Sequence, residues 1–228
     1  LNPELFGLHS LSASCLVYLV AREISEGLKK LADLAIVGAI GDMRLKEIER
    51  CEIGKEIIKD GIDARSIEPE YGLRLFGVRT RAIHKALAYC FDPYIPGISG
   101  NESAAVQLLN ELGIEIKTNG RFKTYSELSE SEKEKLRTQI LLLRLSHGIE
   151  NPSDIFGNRY YLPRFDYYAS ELATIFNAFG RLGRFDEIIQ LCERFDRSVA
   201  ELVLKEYKTK LAKYLAIAES KKEIRDNV

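Results

Sequence analysis

Three kinds of residue in this chain could carry chemistry, and the first is a carboxylate. Asp42 ends the run DLAIVGAIGDMR, residues 33–44, in which apolar and small side chains dominate. Aspartate is almost never fully buried without compensation, so a carboxylate there raises the question of a metal or a cationic partner. Metal-dependent hydrolysis needs several carboxylates or imidazoles converging on one ion. The chain offers His9, His84 and His147, none at a paired spacing such as HxxxH. Asp60 and Asp63, in KDGID at a helix end, are the closest acidic pair at a plausible site, and local turn hydrogen bonding explains them better than ligation. No GxSxG, P-loop or GxGxxG pattern occurs.

The second candidate is NAFGRLGRFDEI, residues 177–188. Gly180 is expected to end one helix in a left-handed conformation, with Gly183 turning the chain into the next. Arg181 and Arg184 would then stand beside the free N–H groups of a helix start, a natural phosphate site. A plain helix connector with two solvated arginines is the favoured reading on composition alone. The third candidate is GVRTRAIHKAL, where Arg79, Arg81, His84 and Lys85 crowd a helix start. Positive charge there opposes the helix dipole and hints at a bound anion or an acidic partner. A solvated positive face is again the simpler reading, with His84 a hydrogen-bonded residue rather than a catalyst.

The elements that must position these residues are mostly helical. In residues 11–26, Ala13, Leu16, Val17, Val20 and Ile24 share one face and Leu11, Cys15 and Leu19 another, which predicts a well-buried helix closed by Gly27. Residues 32–43 are an apolar run that periodicity does not assign; as a helix, it would place Ala35, Gly38, Ala39 and Asp42 on one crowded face. Helices are predicted at 47–60, ended by Gly61, and from Thr80 to Asp92-Pro93. A helix over 102–112 ends at Gly113, and Asn119-Gly120 signals a hairpin. Ser129 and Glu132 make a capping box for a helix reaching Gly148. RYYLP reads as a short strand, and helices follow at about 167–179, 185–195 and 197–221. The turn-rich DPYIPGISGNE is expected to separate two halves.

The 228 residues suffice for one large or two small domains. With 33 basic against 34 acidic residues, the net charge of -1 gives no global field for polyanions, so any nucleic-acid contact must be local. Cys15, Cys51, Cys90 and Cys192 form no CxxC pair and read as small apolar residues of a reducing compartment. No apolar run is long enough to span a bilayer, and no signal peptide is seen, so a cytoplasmic protein is expected. The chain begins at Leu1, so sequence upstream is expected as well.

Five stretches in order, NPELFG, VYLVARE, LADLAIVGAIGD, LRLFGVRTRAIHKALAYCFDPYIPGISGNE and LATIFNAFGRLGR, give the chain a resemblance to the archaeal RecJ-like proteins of the DHH phosphoesterase superfamily. The long middle block and NAFGRLGR are its more specific parts. The resemblance implies a predominantly helical α/β fold: the remainder of a DHH-type domain over residues 1–98, then a DHH-associated C-terminal domain of nucleic-acid-binding type over 99–228. Members are usually manganese-dependent single-strand exonucleases that hold two metal ions through an Asp-rich motif, the DHH triplet and a later Asp. Carried onto this chain, Asp42 resembles that later Asp, and Gly180, Arg181, Gly183 and Arg184 resemble the Gly-rich nucleic-acid-binding motif. Arg79 and Arg81 are the further candidates for nucleic acid.

No DHH triplet and no DxD motif is present. Asp42 is therefore expected to be a vestigial ligand position, held at a helix end or paired with Arg44, with no metal and no cofactor. What the resemblance implies is a non-catalytic RecJ-like component of the archaeal replication machinery. Such a component binds the GINS complex, is linked through it to the MCM helicase, and has single-stranded DNA as a further contact. The alternative is the C-terminal part of an active manganese-dependent single-strand exonuclease. Loss of a catalytic half should also leave apolar surface on the first two helices, at Leu16, Leu19, Val20, Leu34 and Ile36.

Overall fold

The computed structural model describes residues 11–225, so NPELFG and His9 lie outside the described residues. The chain divides into two compact units. Unit 1 joins the residues up to Glu68 to those from Leu162 onward, and unit 2 is Pro69–Tyr161. The boundary expected at residue 98, and the turn-rich segment thought to separate two halves, both fall inside unit 2.

Unit 1 opens with α1 (Ala13–Ile24), whose first turn is capped by the Ser12 side chain accepting the N–H of Cys15. Cys15 and Tyr18 face the core. The expectation of a well-buried helix fails on one face, because Val17, Val20 and Ile24 are 69%, 48% and 75% exposed. Nor does Gly27 close the helix. Ser25 leaves it in an extended conformation and accepts the N–H of Gly27, starting a 3-10 turn over Glu26–Leu31.

The ambiguous run becomes α2 (Ala32–Gly41), a helix buried on most sides. It lies close against α1: a Cβ on Gly38 would meet Ser14 Oγ at 2.3 Å, and that hydroxyl donates to the Ala35 carbonyl at 3.0 Å. Of the residues expected to lie open on these two helices, Val20 does, Leu16, Leu19 and Leu34 are half-buried, and Ile36 is fully buried.

The helix expected over 47–60 is two helices, α3 (Leu45–Arg50) and α4 (Glu52–Asp63). Cys51 separates them in an extended conformation, its thiol accepting the N–H of Gly54. Gly61 does not terminate α4. It is buried within the helix, where a Cβ would stand 2.4 Å from Ile67 Cδ1, so its role is close packing. Asp60 of α4 accepts from Tyr18 Oη at 2.8 Å and from Arg22 at 3.1 Å, tying α4 to α1.

Unit 2 begins at Pro69, within β1 (Glu68–Leu73), a strand for which the sequence showed no clear signal. The helix expected from Thr80 shrinks to α5 (Ile83–Ala88), because Gly77, at φ +82, forms a turn that accepts the N–H groups of Thr80 and Arg81. Next come α6 (Glu102–Glu111), which turns out through Gly113 at φ +69, and the hairpin of β2 (Lys117–Thr118) and β3 (Arg121–Phe122). Asn119 and Gly120 both take positive φ there, as an Asn-Gly turn should. The Ser129–Glu132 capping box starts α7 (Glu130–Ser146), and β4 (Phe156–Leu162) lies beside β1.

Unit 1 resumes with β5 (Tyr167–Tyr168), then α8 (Ala169–Arg181), α9 (Phe185–Glu193) and α10 (Arg197–Arg225). Ala35, Ile36 and Ala39 of α2 and Leu172, Ala173, Ile175 and Ala178 of α8 are among its buried core. The fold is thus predominantly helical with small sheets. Among the described residues, no helix is long and apolar enough to cross a membrane.

Candidate functional site

The carboxylate that needs compensation in DLAIVGAIGDMR is the first, not the last. Asp42 is the C-cap of α2 and is exposed, so it sits outside the crowded face expected for it. The small residues of that face instead serve helix packing, with Gly38 against Ser14. Asp33, in the first turn of α2, is 0% exposed. Its Oδ1 accepts from Arg164 Nη2 at 3.1 Å and from the N–H of Leu34 at 2.7 Å. Oδ2 stands 3.1 Å from the same guanidinium nitrogen without an aligned hydrogen bond. Burial lifts the Asp33 carboxyl to about 6, against the opposing pull of Arg164 and the Leu34 amide. A signal for Asp33 did exist, since it heads the same apolar run. Its partner lies 131 residues away in sequence, where local patterns cannot reach.

The Gly-rich segment is a tight connector. Gly180 lies inside α8 rather than at its end, correcting the expected stop, and Gly183, at φ +74, makes the turn. Arg184 is the N-cap residue of α9 but does not face open solvent with its charge unspent. Its guanidinium donates from Nη2 to Glu187 at 2.6 Å and from Nη1 to Glu206 at 3.3 Å. Glu187 also draws a second, shorter contact from Nε. Asp186 and Glu187 make the first turn of α9 acidic, which opposes an anion at that terminus. Arg181, at the end of α8, is exposed.

The basic segment of unit 2 has a different character. Arg79 lies over Tyr161 at 4.1 Å, and Arg81 lies 4.8 Å from the Phe76 ring and 5.7 Å from that of Tyr89. Guanidinium on an aromatic face is a cation–π arrangement. A Cβ on Gly77 would stand 2.5 Å from Arg81 Cβ, so that glycine is what lets Arg81 fold back. His84 is 5% exposed, and burial holds its imidazole below the ordinary value. The expected hydrogen bond is not there: Nδ1 is buried without a partner.

A buried charge with no signal in the local sequence pattern is Arg144 on α7, 2% exposed. It donates to the carbonyls of Pro152 at 2.9 Å and Asn151 at 3.2 Å, and closely to the Tyr94 carbonyl and the Asp154 carboxylate. Its arginine fork organises the turn after α7 rather than a ligand. Among the described residues, no group of three or more His, Cys, Asp or Glu side chains is placed to hold a metal ion. All four cysteines are free.

Residues 75–154 match the family model of the DHH-CID domain. That segment lies within unit 2 and contains Arg79, Arg81 and His84. The match runs across residue 98, where the sequence placed a boundary. The chain is also 31% identical, over 227 residues, to an uncharacterized protein of the archaeon Methanocaldococcus jannaschii. The alignment covers 97% of this chain and 48% of that protein, so the chain spans about half the length of the curated relative it matches.

Proposed function

We propose that this chain is a non-catalytic, RecJ-like component of the archaeal DNA replication machinery. In this role it binds the GINS complex, is linked through it to the MCM helicase, and contacts single-stranded DNA. The DHH-CID match over residues 75–154 carries the reading. The sequence departs from the nuclease pattern in lacking a DHH triplet and a DxD motif. Asp42, the position that resembles a ligand, is exposed at a helix end. Two-metal hydrolysis needs several anionic ligands on each ion, which one carboxylate cannot supply. The exposed apolar stripe of Val17, Val20 and Ile24 on α1 suits a protein contact.

A second reading has its own support, because the relative is about twice as long as this chain. On that reading the chain is the C-terminal part of a manganese-dependent single-strand exonuclease. Two measurements separate the readings. The natural gene product, tagged and recovered from native extract at physiological salt, should bring GINS subunits with it; recovery as a free monomer defeats the first reading. The purified chain, from Leu1 to Val228, should release no nucleotides from single-stranded DNA with manganese. Release that is abolished by Asp42→Ala would transfer the case to the exonuclease.

A further inference from the structure

Around His84, whose Nδ1 has no hydrogen-bond partner, unit 2 presents two part-exposed aromatic rings with cations over them. The His84 ring lies 4.8 Å from that of Phe122, tilted by 52°. Phe122, on β3, is 40% exposed, and Lys117 Nζ stands 4.4 Å from its centroid. Tyr89, at the end of α5, is 53% exposed; its Oη donates to the Glu102 carboxylate at 2.8 Å, and Arg81 approaches its ring. Tyr89 directly follows α5, whose His84 packs on Phe122, so the patch runs along one six-residue helix that also carries Lys85. Among the described residues, Lys85 and Lys117 are in no ion pair. Glu102 is the acid that faces the patch, and its carboxylate is already engaged by Tyr89.

The patch is preorganised. The N–H of Ile83 donates to the Lys123 carbonyl at 2.9 Å, the N–H of Lys123 to the Ile116 carbonyl at 2.9 Å, and Ala82 bridges Thr124. These bonds fix α5 against the hairpin, so the rings need little ordering on binding. Part-exposed rings beside ammonium groups that are in no ion pair match a chain that alternates flat bases with phosphates, with the Lys117 ammonium leaving the Phe122 ring for a phosphate. An aliphatic protein surface would leave both lysines unanswered.

We infer that the Tyr89–Phe122 face of unit 2 is a stacking platform for single-stranded nucleic acid, with bases on the two rings and Lys85 and Lys117 meeting the phosphates. This rests on the nucleic-acid part of the function proposed above, not on GINS binding. Sequence selectivity should be low, because every base has a π-face.

The chain contains no Trp, so Phe122→Trp places one fluorophore on the platform. Adding oligothymidylate should quench its emission saturably, whereas an abasic oligomer of equal length, with the same phosphates, should quench far less. Tyr89→Ala or Phe122→Ala should each weaken oligothymidylate binding about tenfold, and Phe122→Tyr should restore it. Equal quenching by the abasic oligomer overturns stacking. Oligothymidylate that binds without changing the Trp emission, and that ignores both alanine variants, overturns the platform and leaves DNA contact elsewhere in the chain. No binding at all overturns both, while GINS capture stands as a separate result. Trp emission that responds to purified GINS and not to the oligomer makes this a protein surface and also overturns the platform.

Discussion

Arg164 Nη2 lies 3.1 Å from each carboxylate oxygen of Asp33, which is itself completely buried. The pair is lopsided, because Arg164 keeps 34% of its side chain in water while Asp33 keeps none. One partly solvated cation cannot repay the full desolvation of a buried carboxylate, which is why burial outweighs it in setting the Asp33 carboxyl at about 6.

This has a pH consequence with a definite sign. A carboxyl whose folded value lies above its unfolded one favours folding when protonated, and that stability is lost as pH rises through about 6. Thermal melts should therefore show unit 1 gaining stability between pH 7 and pH 5, by about 1–3 kcal/mol at most from this group. Asp33→Asn should flatten that slope. A slope equally steep in the variant would assign it to other groups.

Arg144 should be worth more to unit 2 than any surface ion pair. Arg144→Ala removes a fork that satisfies three carbonyls and a carboxylate, and should cost about 3–5 kcal/mol in denaturant unfolding. Arg144→Lys keeps the charge but not the fork, and should recover little. Near-complete rescue by lysine would mean that the Asp154 contact alone matters.

Gly38→Ala tests how closely α1 and α2 approach. Helix propensity alone predicts a gain of about 1 kcal/mol. The new methyl would fall 2.3 Å from Ser14 Oγ and 2.5 Å from its Cβ, so a net loss of about 1–3 kcal/mol is expected instead. A stabilised variant would show that the two helices can part at little cost.

The two arginines of the Gly-rich turn should behave differently towards DNA. Arg184 is neutralised by Glu187 and Glu206, whereas Arg181 is exposed. If single strands touch this turn, Arg181→Ala should lower the slope of log affinity against log salt by about 0.7, the value for one phosphate contact on a single strand. Arg184→Ala should leave the slope unchanged. The reverse result would require Arg184 to leave its two glutamates on binding.

Much of unit 2 was legible in the sequence because its signals are local. The Asn119-Gly120 hairpin, the Ser129–Glu132 box and the exit of α6 at Gly113 each depend on residues within a few positions of one another. The same kind of reasoning misjudged Gly27, Gly61 and Gly180. A glycine in a sequence suggests a stop, but whether it takes a positive φ or simply makes room depends on what packs against it. For Gly61 that neighbour is Ile67, reached by the chain after α4 has ended.

What the sequence determined by itself was a helical class, the caps and turns, and the segments that resemble a DHH-superfamily protein. These depend on short-range periodicity and on residue identity. The tertiary structure alone decided that Asp33 rather than Asp42 is the compensated carboxylate, that Arg184 is already occupied, and that Phe122 packs against His84. Each of these is a pairing across sequence distance. Burial and charge compensation are fixed by which surfaces meet, so no local pattern could have supplied them.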